Sequence, residues 1–272
     1  MSYFHLNLIL KGKLTVCCLL MLPAIPLNAQ REAKQIGDFK ESISLNEHLR
    51  GTKRTLQYRP DGDEFVCVNG KNRYTRALYG SHSPFRVETS DRPVFAFYNN
   101  GRGGNISFKV ILRDGTELAL DCTGHCESRY SAGKRTYYLT DPSWGKGELR
   151  ISVLALADMD GAIWRFSPSN MPKGAILRWQ HGGATGKRLS RNGDMGVDPA
   201  DCFELPVEAT DLVTGELPLQ KEVYLVRGEV PEDYNVRKLY QQAEAASLAL
   251  ASHLKIETPD PYLNTLGGAL VA

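Results

Sequence analysis

Cys122 and Cys126 enclose Thr123-Gly124-His125, the tightest grouping of reactive side chains in the sequence. Three chemistries fit that spacing: a small disulfide loop, a pair of free thiols, or a metal site with His125 between two sulfurs. The zinc version matches no common ligand spacing and lacks a second pair further along. Glycoside hydrolysis needs two carboxylates across a cleft, one protonated and one ionised. Acidic residues are plentiful, yet nothing in the sequence pairs any two of them. Glu88, Glu117, Asp158 and Asp160 read as strand-edge or turn residues. Gly80-Ser81-His82-Ser83 sets hydroxyls beside an imidazole, but neighbours on a strand point to opposite faces, so Ser81 and His82 do not form a nucleophile–base pair. No Gly-x-Ser-x-Gly elbow occurs, and Gly101-Arg102-Gly103-Gly104 lacks the strand and helix context of a phosphate loop. The expectation is therefore no catalytic residue, no metal and no cofactor within these residues.

Sugar contact is a better match to the residue types. A sugar ring offers an apolar face and a rim of hydroxyls; aromatic rings meet the first, and Arg, Asn, His or carboxylates meet the second. Trp179 and His181, two apart on one strand face, stand just before Gly182-Gly183. Arg102 and Asn105 flank a glycine turn that would let backbone approach a ligand. Each has a plainer reading: Trp164 and Trp179 as core aromatics, Asn105 as a turn cap, His181 as a locally satisfied hydrogen bonder.

Something must position these groups, and the pattern is one of strands. The chain has 272 residues, 42% hydrophobic and 24% charged, an ordinary globular composition. Residues 1–29 read as a signal peptide: Lys11 and Lys13 precede an apolar run from Leu14 to Leu27, and Ala29 offers a cleavage point. The run is short for a membrane span, and Cys17 and Cys18 lie inside it rather than at its end, which disfavours a lipoprotein. Losing residues 1–29 removes two lysines and no acids, so the remainder is neutral. No basic block interleaved with aromatics is present, which argues against nucleic-acid binding. An exported location makes disulfides possible for Cys67, Cys122, Cys126 and Cys202.

Residues 30–54 form a polar leader. From 55 to 230, short apolar or alternating stretches are separated by turn dipeptides such as Asp61-Gly62, Asn69-Gly70 and Asp114-Gly115. Expected strands include Glu64–Val68, Val94–Tyr98, Ile106–Leu112, Glu148–Leu156, Ala162–Phe166, Ala175–Gln180, Cys202–Pro206 and Lys221–Arg227. So many short strands predict a mainly β chain built as a large, supersandwich-like antiparallel β-sandwich. Across 231–257 the period changes to that of a linker helix, with Val236, Leu239, Tyr240, Ala243, Ala246, Leu250 and Leu254 on one face. Thr258-Pro259-Asp260-Pro261 breaks it. Over 258–272 a second helix begins, with Leu263, Leu266, Ala269 and Leu270 sharing a face; it reads as the first helix of a helical domain whose remainder is not in this sequence.

Four segments carry a resemblance: Asn69 through His82; Phe95-Ala96-Phe97-Tyr98 with Gly103-Gly104-Asn105; Gly193-Asp194-Met195-Gly196-Val197-Asp198-Pro199; and Thr258 through Ala269. Together they resemble an uncharacterised family of exported bacterial proteins in which a β-sandwich precedes an (α/α)6 toroid of the six-hairpin glycosidase type. The resemblance spans about residues 55–272. It implies a periplasmic or outer-surface location in a Gram-negative-type bacterium and a polysaccharide or oligosaccharide partner. It also implies that the catalytic carboxylates belong to a downstream helical domain. It adds Tyr79 and His82, within the first segment, to the candidate sugar contacts; their plainer readings are a core aromatic and a locally satisfied hydrogen bonder.

Three functions compete on this reading. The chain is the N-terminal sandwich portion of a secreted glycoside hydrolase-like protein, inactive alone; or a stand-alone carbohydrate-binding module; or an envelope interaction protein docking a partner through residues 263–272.

Overall fold

The computed structural model describes residues 57–80, 85–99, 102–182, 212–231 and 233–271. Their strands form two antiparallel sheets of seven. The first sheet runs in the order β1 (Arg59–Asp61), β2 (Glu64–Val68), β8 (His125–Ser131), β9 (Lys134–Thr140), β10 (Glu148–Ala155), β11 (Gly161–Ser169) and β14 (Val223–Gly228). The second runs β13 (Val213–Pro218), β12 (Ile176–Gly182), β6 (Arg102–Ile111), β5 (Phe95–Asn99), β4 (Arg86–Thr89) and β3 (Arg76–Tyr79), with β7 (Glu117–Ala119) paired to the far part of β6. The large antiparallel sandwich expected from the strand pattern is the fold observed.

Side-chain alternation builds the core. Ile106, Phe108 and Val110 of β6, Phe95 and Phe97 of β5, and Leu149, Ile151 and Val153 of β10 face into one buried cluster. Trp164 of β11 stands at its centre, meeting Phe95 and Phe97 edge-on with ring centroids 5.7 and 5.6 Å away. The first sheet is buried on its other face as well. Leu154, Leu156 and Ile163 point away from the sandwich and are covered by Leu239, Tyr240 and Ala243 of α1 (Val236–Ala251). That double burial is why the β10 segment alternates as far as Ser152 and then runs apolar from Val153 to Leu156.

Turn chemistry accounts for several connections. Asp61 pairs with Glu64 across Gly62 at φ +60°, and Gly115 at φ +87° closes the β6–β7 hairpin. Asn69-Gly70 behaves otherwise. β2 pairs with β1 and β8, not β3, so the dipeptide carries the chain from one sheet to the other. Gly70 is required by packing: a Cβ there would stand 2.6 Å from Asp91 Cβ. Gly103-Gly104, expected as a turn, is extended within β6 opposite Tyr98 and Phe97.

Two strands escape the sequence pattern. β8 buries Cys126, Ser128 and Tyr130 while Glu127 and Arg129 alternate with them, so its inward face is largely polar. β13 is a mostly exposed edge strand containing Gly215 and Pro218, both poor strand formers. A tight turn joins β8 to β9 through Ala132 and Gly133, both at positive φ (48° and 69°). Ala-Gly is not a turn dipeptide that sequence reasoning flags. The expected strand Cys202–Pro206, the signal peptide and the leader lie outside the described residues.

The helices also differ in detail. α1 begins at Val236 rather than 231, because Asn235 caps it: its Oδ1 accepts from Lys238 N at 3.0 Å. In α2 (Pro261–Val271) the expected apolar face is split. Thr265 and Ala269 are buried, Leu266 is half-buried, and Leu263 and Leu270 are 45% and 60% exposed. Polar ties set that rotation. Thr265 Oγ1 donates to Gly62 O at 2.8 Å, and Arg76 Nη2 donates to Ala269 O at 2.5 Å. Small residues against the sandwich let the helix approach closely enough for both bonds.

A buried polar centre joins the two sheets. Asp91, in the β4–β5 connection, and Arg135 of β9 are both essentially inaccessible and lie 3.7 Å apart. Asp91 accepts from Tyr58 Oη and from Asn72 N at 2.9 Å. Arg135 donates to Ser90 O at 3.2 Å and Ser128 Oγ at 3.1 Å, and Tyr137 Oη donates to Ser90 O at 2.8 Å. Removing one member of such a pair strands the other charge in the interior, so Asp91→Asn is expected to lose about 3–5 kcal/mol in urea unfolding. Ala132→Gly, which removes a left-handed alanine, is expected to gain about 0.5–1 kcal/mol in the same experiment.

Candidate functional site

A polar concavity with converging side chains lies along β6. There Asn105, Ser107 and Lys109 alternate with the core residues Ile106, Phe108 and Val110, so the polar set faces away from the sandwich interior. β5 accompanies β6 only as far as Phe95 opposite Ile106, and β7 joins only from Ala119 opposite Lys109. Ser107 and Phe108 therefore have no strand beside them on that edge. A cleft of about 420 Å³ occupies the gap.

Its other walls come from three connections. The β2–β3 segment supplies Lys71, Asn72 and Arg73; the β4–β5 segment supplies Ser90, Arg92, Pro93 and Val94; and a 3-10 turn after β7 supplies Asp121. The first two are tied together by the buried Asp91, whose carboxylate holds Asn72 N. Arg92 is held still by neutral acceptors: Nη1 donates to Asp121 O at 3.0 Å and Thr123 O at 2.8 Å, and Nη2 to Asn69 Oδ1 at 3.4 Å. Its guanidinium makes no ion pair among the described residues, and neither does Lys71. Lys109 reaches Glu117 at 3.5 Å, an exposed and weak contact. Four cations thus line the cleft against one carboxylate, Asp121.

Asn105 is the notable wall residue. It is 7% exposed and stands among the residues that line the cleft.

The other sequence-based candidates are scattered. Tyr79 is 62% exposed at the end of edge strand β3, opposite Arg86 and away from the cleft. Arg102 opens β6 opposite Asn99, and His82 lies outside the described residues. Trp179 is not a surface platform. It belongs to the core, with Arg227 over its ring at 5.1 Å and Gly215 packed against it. His181 does share its face, as the strand period requires, and its Nδ1 accepts from Arg227 Nε at 2.8 Å. Of the candidates whose side chains are described, only Asn105 lines the cleft. Lys71, Arg92, Lys109 and Asp121 were missed; the one available signal was the turn-rich segment from Asn69 that contains Lys71 and Asn72.

The cysteine loop is also corrected. Cys67, Cys122 and Cys126 are free. Cys126 sits on the inward face of β8 and donates to Asp91 O at 3.6 Å, while Cys122 ends the 3-10 turn and is exposed. His125, next along the strand from Cys126, is exposed, so the two cannot converge on one ion. Among the described residues no group of three or more His, Cys, Asp and Glu could hold a metal.

Nor does the cleft hold a pair of carboxylates. Burial pushes the Glu88 carboxyl up, as a general acid would need, with Arg86 partly offsetting it. Glu88 is nonetheless locked to Arg86 at 2.7 Å on β4 and does not line the cleft. The arrangement can bind a polar ligand and lacks the two-carboxylate geometry of glycoside cleavage.

Residues 100–230 match the family described as Domain of unknown function (DUF4450). That segment, just under half of the chain, runs from β6 to β14 and so contains the β6 wall of the cleft and Asp121. No curated protein matches the sequence.

Thiol chemistry gives a direct check on the site's surroundings. The negative charge of Asp121 raises the Cys122 pKa, and burial pushes Cys126 up to about 12. Iodoacetamide followed by peptide mass analysis should label Cys122 in the native protein, faster as pH rises above neutrality, and Cys67 and Cys126 only after unfolding. A 122–126 disulfide-linked peptide would contradict the structure.

Proposed function

We propose that this chain is the sandwich portion of an exported, glycoside hydrolase-like protein acting in polysaccharide breakdown. In this reading it holds the saccharide, and a helical domain carries the chemistry. The observation that carries the proposal is the β6 cleft: amide, hydroxyl and cationic groups beside apolar Pro93, Val94 and Ala119, with a single carboxylate. Such a lining suits a polyhydroxylated ligand and gives no general acid–base pair.

The helical segment supports the second half of the reading. α1 is committed to the outer face of the first sheet, whereas α2 is fastened by Thr265 and Ala269 and turns Leu263 and Leu270 outward. Two outward leucines on one short helix offer an apolar edge for a helical neighbour. Among the described residues no helix is long and apolar enough to cross a membrane.

The purified chain should bind at least one member of a plant and bacterial polysaccharide panel in affinity electrophoresis and release no reducing ends from any of them. Reducing-sugar release by this chain alone would remove the proposed division of labour. Absence of retardation on every polysaccharide would remove the carbohydrate reading.

A further inference from the structure

We infer that the β6 cleft selects an acidic saccharide, one whose carboxylate or sulfate groups are read by Lys71, Arg92 and Lys109. This deepens, and rests on, the carbohydrate reading above.

Three observations point the same way. First, the charge in the cleft is one-sided: four cations against Asp121. In a protein whose Lys and Arg nearly balance its Asp and Glu, 33 against 31, that local excess is not a by-product of overall composition. Second, the excess is pre-organised. Arg92 is fixed by two backbone carbonyls and one amide oxygen, which orient the guanidinium without neutralising it. A cation already immobilised by neutral acceptors loses little side-chain freedom on meeting an anion, and charge-assisted bonds to it are about twice as strong as neutral ones. Third, Asn105 brings a carboxamide to the lining of the cleft, beside Ser107. An amide pairs with the vicinal hydroxyls of a sugar, donating to one and accepting from the other. Cations alone describe a generic anion site; cations with the Asn105 amide and the Ser107 hydroxyl describe a ligand carrying hydroxyls and negative charge together.

The gap in the sheet explains why the site is where it is. Had β5 or β7 been longer by two residues, a strand would lie beside Ser107 and Phe108 and close the cleft.

The test is calorimetric titration of the full chain with three probes: a short oligogalacturonate, its fully methyl-esterified neutral counterpart, and a sulfated galactan oligosaccharide of similar length. Poly-glutamate serves as a non-sugar polyanion. Binding of either acidic saccharide at least about tenfold tighter than the neutral ester, weakening as salt rises from about 50 to 500 mM, is expected. Lys71→Gln/Lys109→Gln, at two exposed positions, should lower acidic-saccharide affinity about tenfold and leave the melting temperature unchanged. Asn105→Ala should weaken every saccharide that binds. If the neutral ester binds as tightly as the acid, or the double variant binds the acid normally, the charge inference fails while the carbohydrate reading stands. If poly-glutamate competes as well as the acidic saccharides, the carbohydrate reading fails and the inference with it. Binding of no probe removes the inference; the polysaccharide panel then decides the broader reading independently.

Discussion

The buried pairing of Asp91 with Arg135 is the constraint on which the rest of the described structure depends. Neither charge reaches solvent, and burying each alone would cost several kcal/mol. The ion pair survives because its neighbours supply hydrogen bonds to both charges, although Arg135 Nε stays buried without a partner. Tyr58 and Asn72 serve the carboxylate; Ser128 and the Ser90 carbonyl serve the guanidinium. These partners come from the segment before β1, the β2–β3 and β4–β5 connections, and β8. One electrostatic requirement therefore holds both sheets in a fixed relation at one end of the sandwich.

That end is also where the cleft forms. The loop from Asn69 to Arg73 is pinned by Asp91 from one side and by Asn69 from the other, since Asn69 Oδ1 accepts from both Cys126 N and Arg92 Nη2. Lys71 and Arg92 are carried on segments that the buried centre immobilises. The cleft's charge is thus held by a scaffold deeper than itself, and Gly70 is part of that scaffold because a side chain there would collide with Asp91. Binding residues on loops gain their precision from such anchoring.

The helices show how polar contacts override an apolar pattern. Spacing in 258–272 puts three leucines on one face, which the sequence presents as the packing face of a helix that opens a helical domain. The helix turns instead so that Thr265 can reach Gly62 and Arg76 can reach the Ala269 carbonyl. Two hydrogen bonds and the close approach allowed by small residues outweigh the burial of Leu263 and Leu270.

Much of the architecture was legible without coordinates, because strand periodicity and turn dipeptides are local. The β10, β11 and β6 cores, the Asp61-Gly62 and Asp114-Gly115 turns and the change to helix after the strands all followed from neighbouring residues. β8 was invisible because its buried face is polar, and its stability comes from Arg135 and Asp91, which are distant in sequence. The cleft was almost wholly illegible. Of its charged residues none was singled out, and Trp179, offered both as a sugar contact and as a core aromatic, is a core residue. Sequence alone determined most of the strands, the Asp61-Gly62 and Asp114-Gly115 turns, and that opposite charges nearly balance over the chain. Tertiary structure alone decided which face each strand buries against its partner sheet, that Cys122 and Cys126 part company, and that β5 and β7 leave β6 uncovered at Ser107. The physical reason is the range of the interactions: periodicity acts over a few residues, whereas strand pairing and buried charge join residues tens of positions apart.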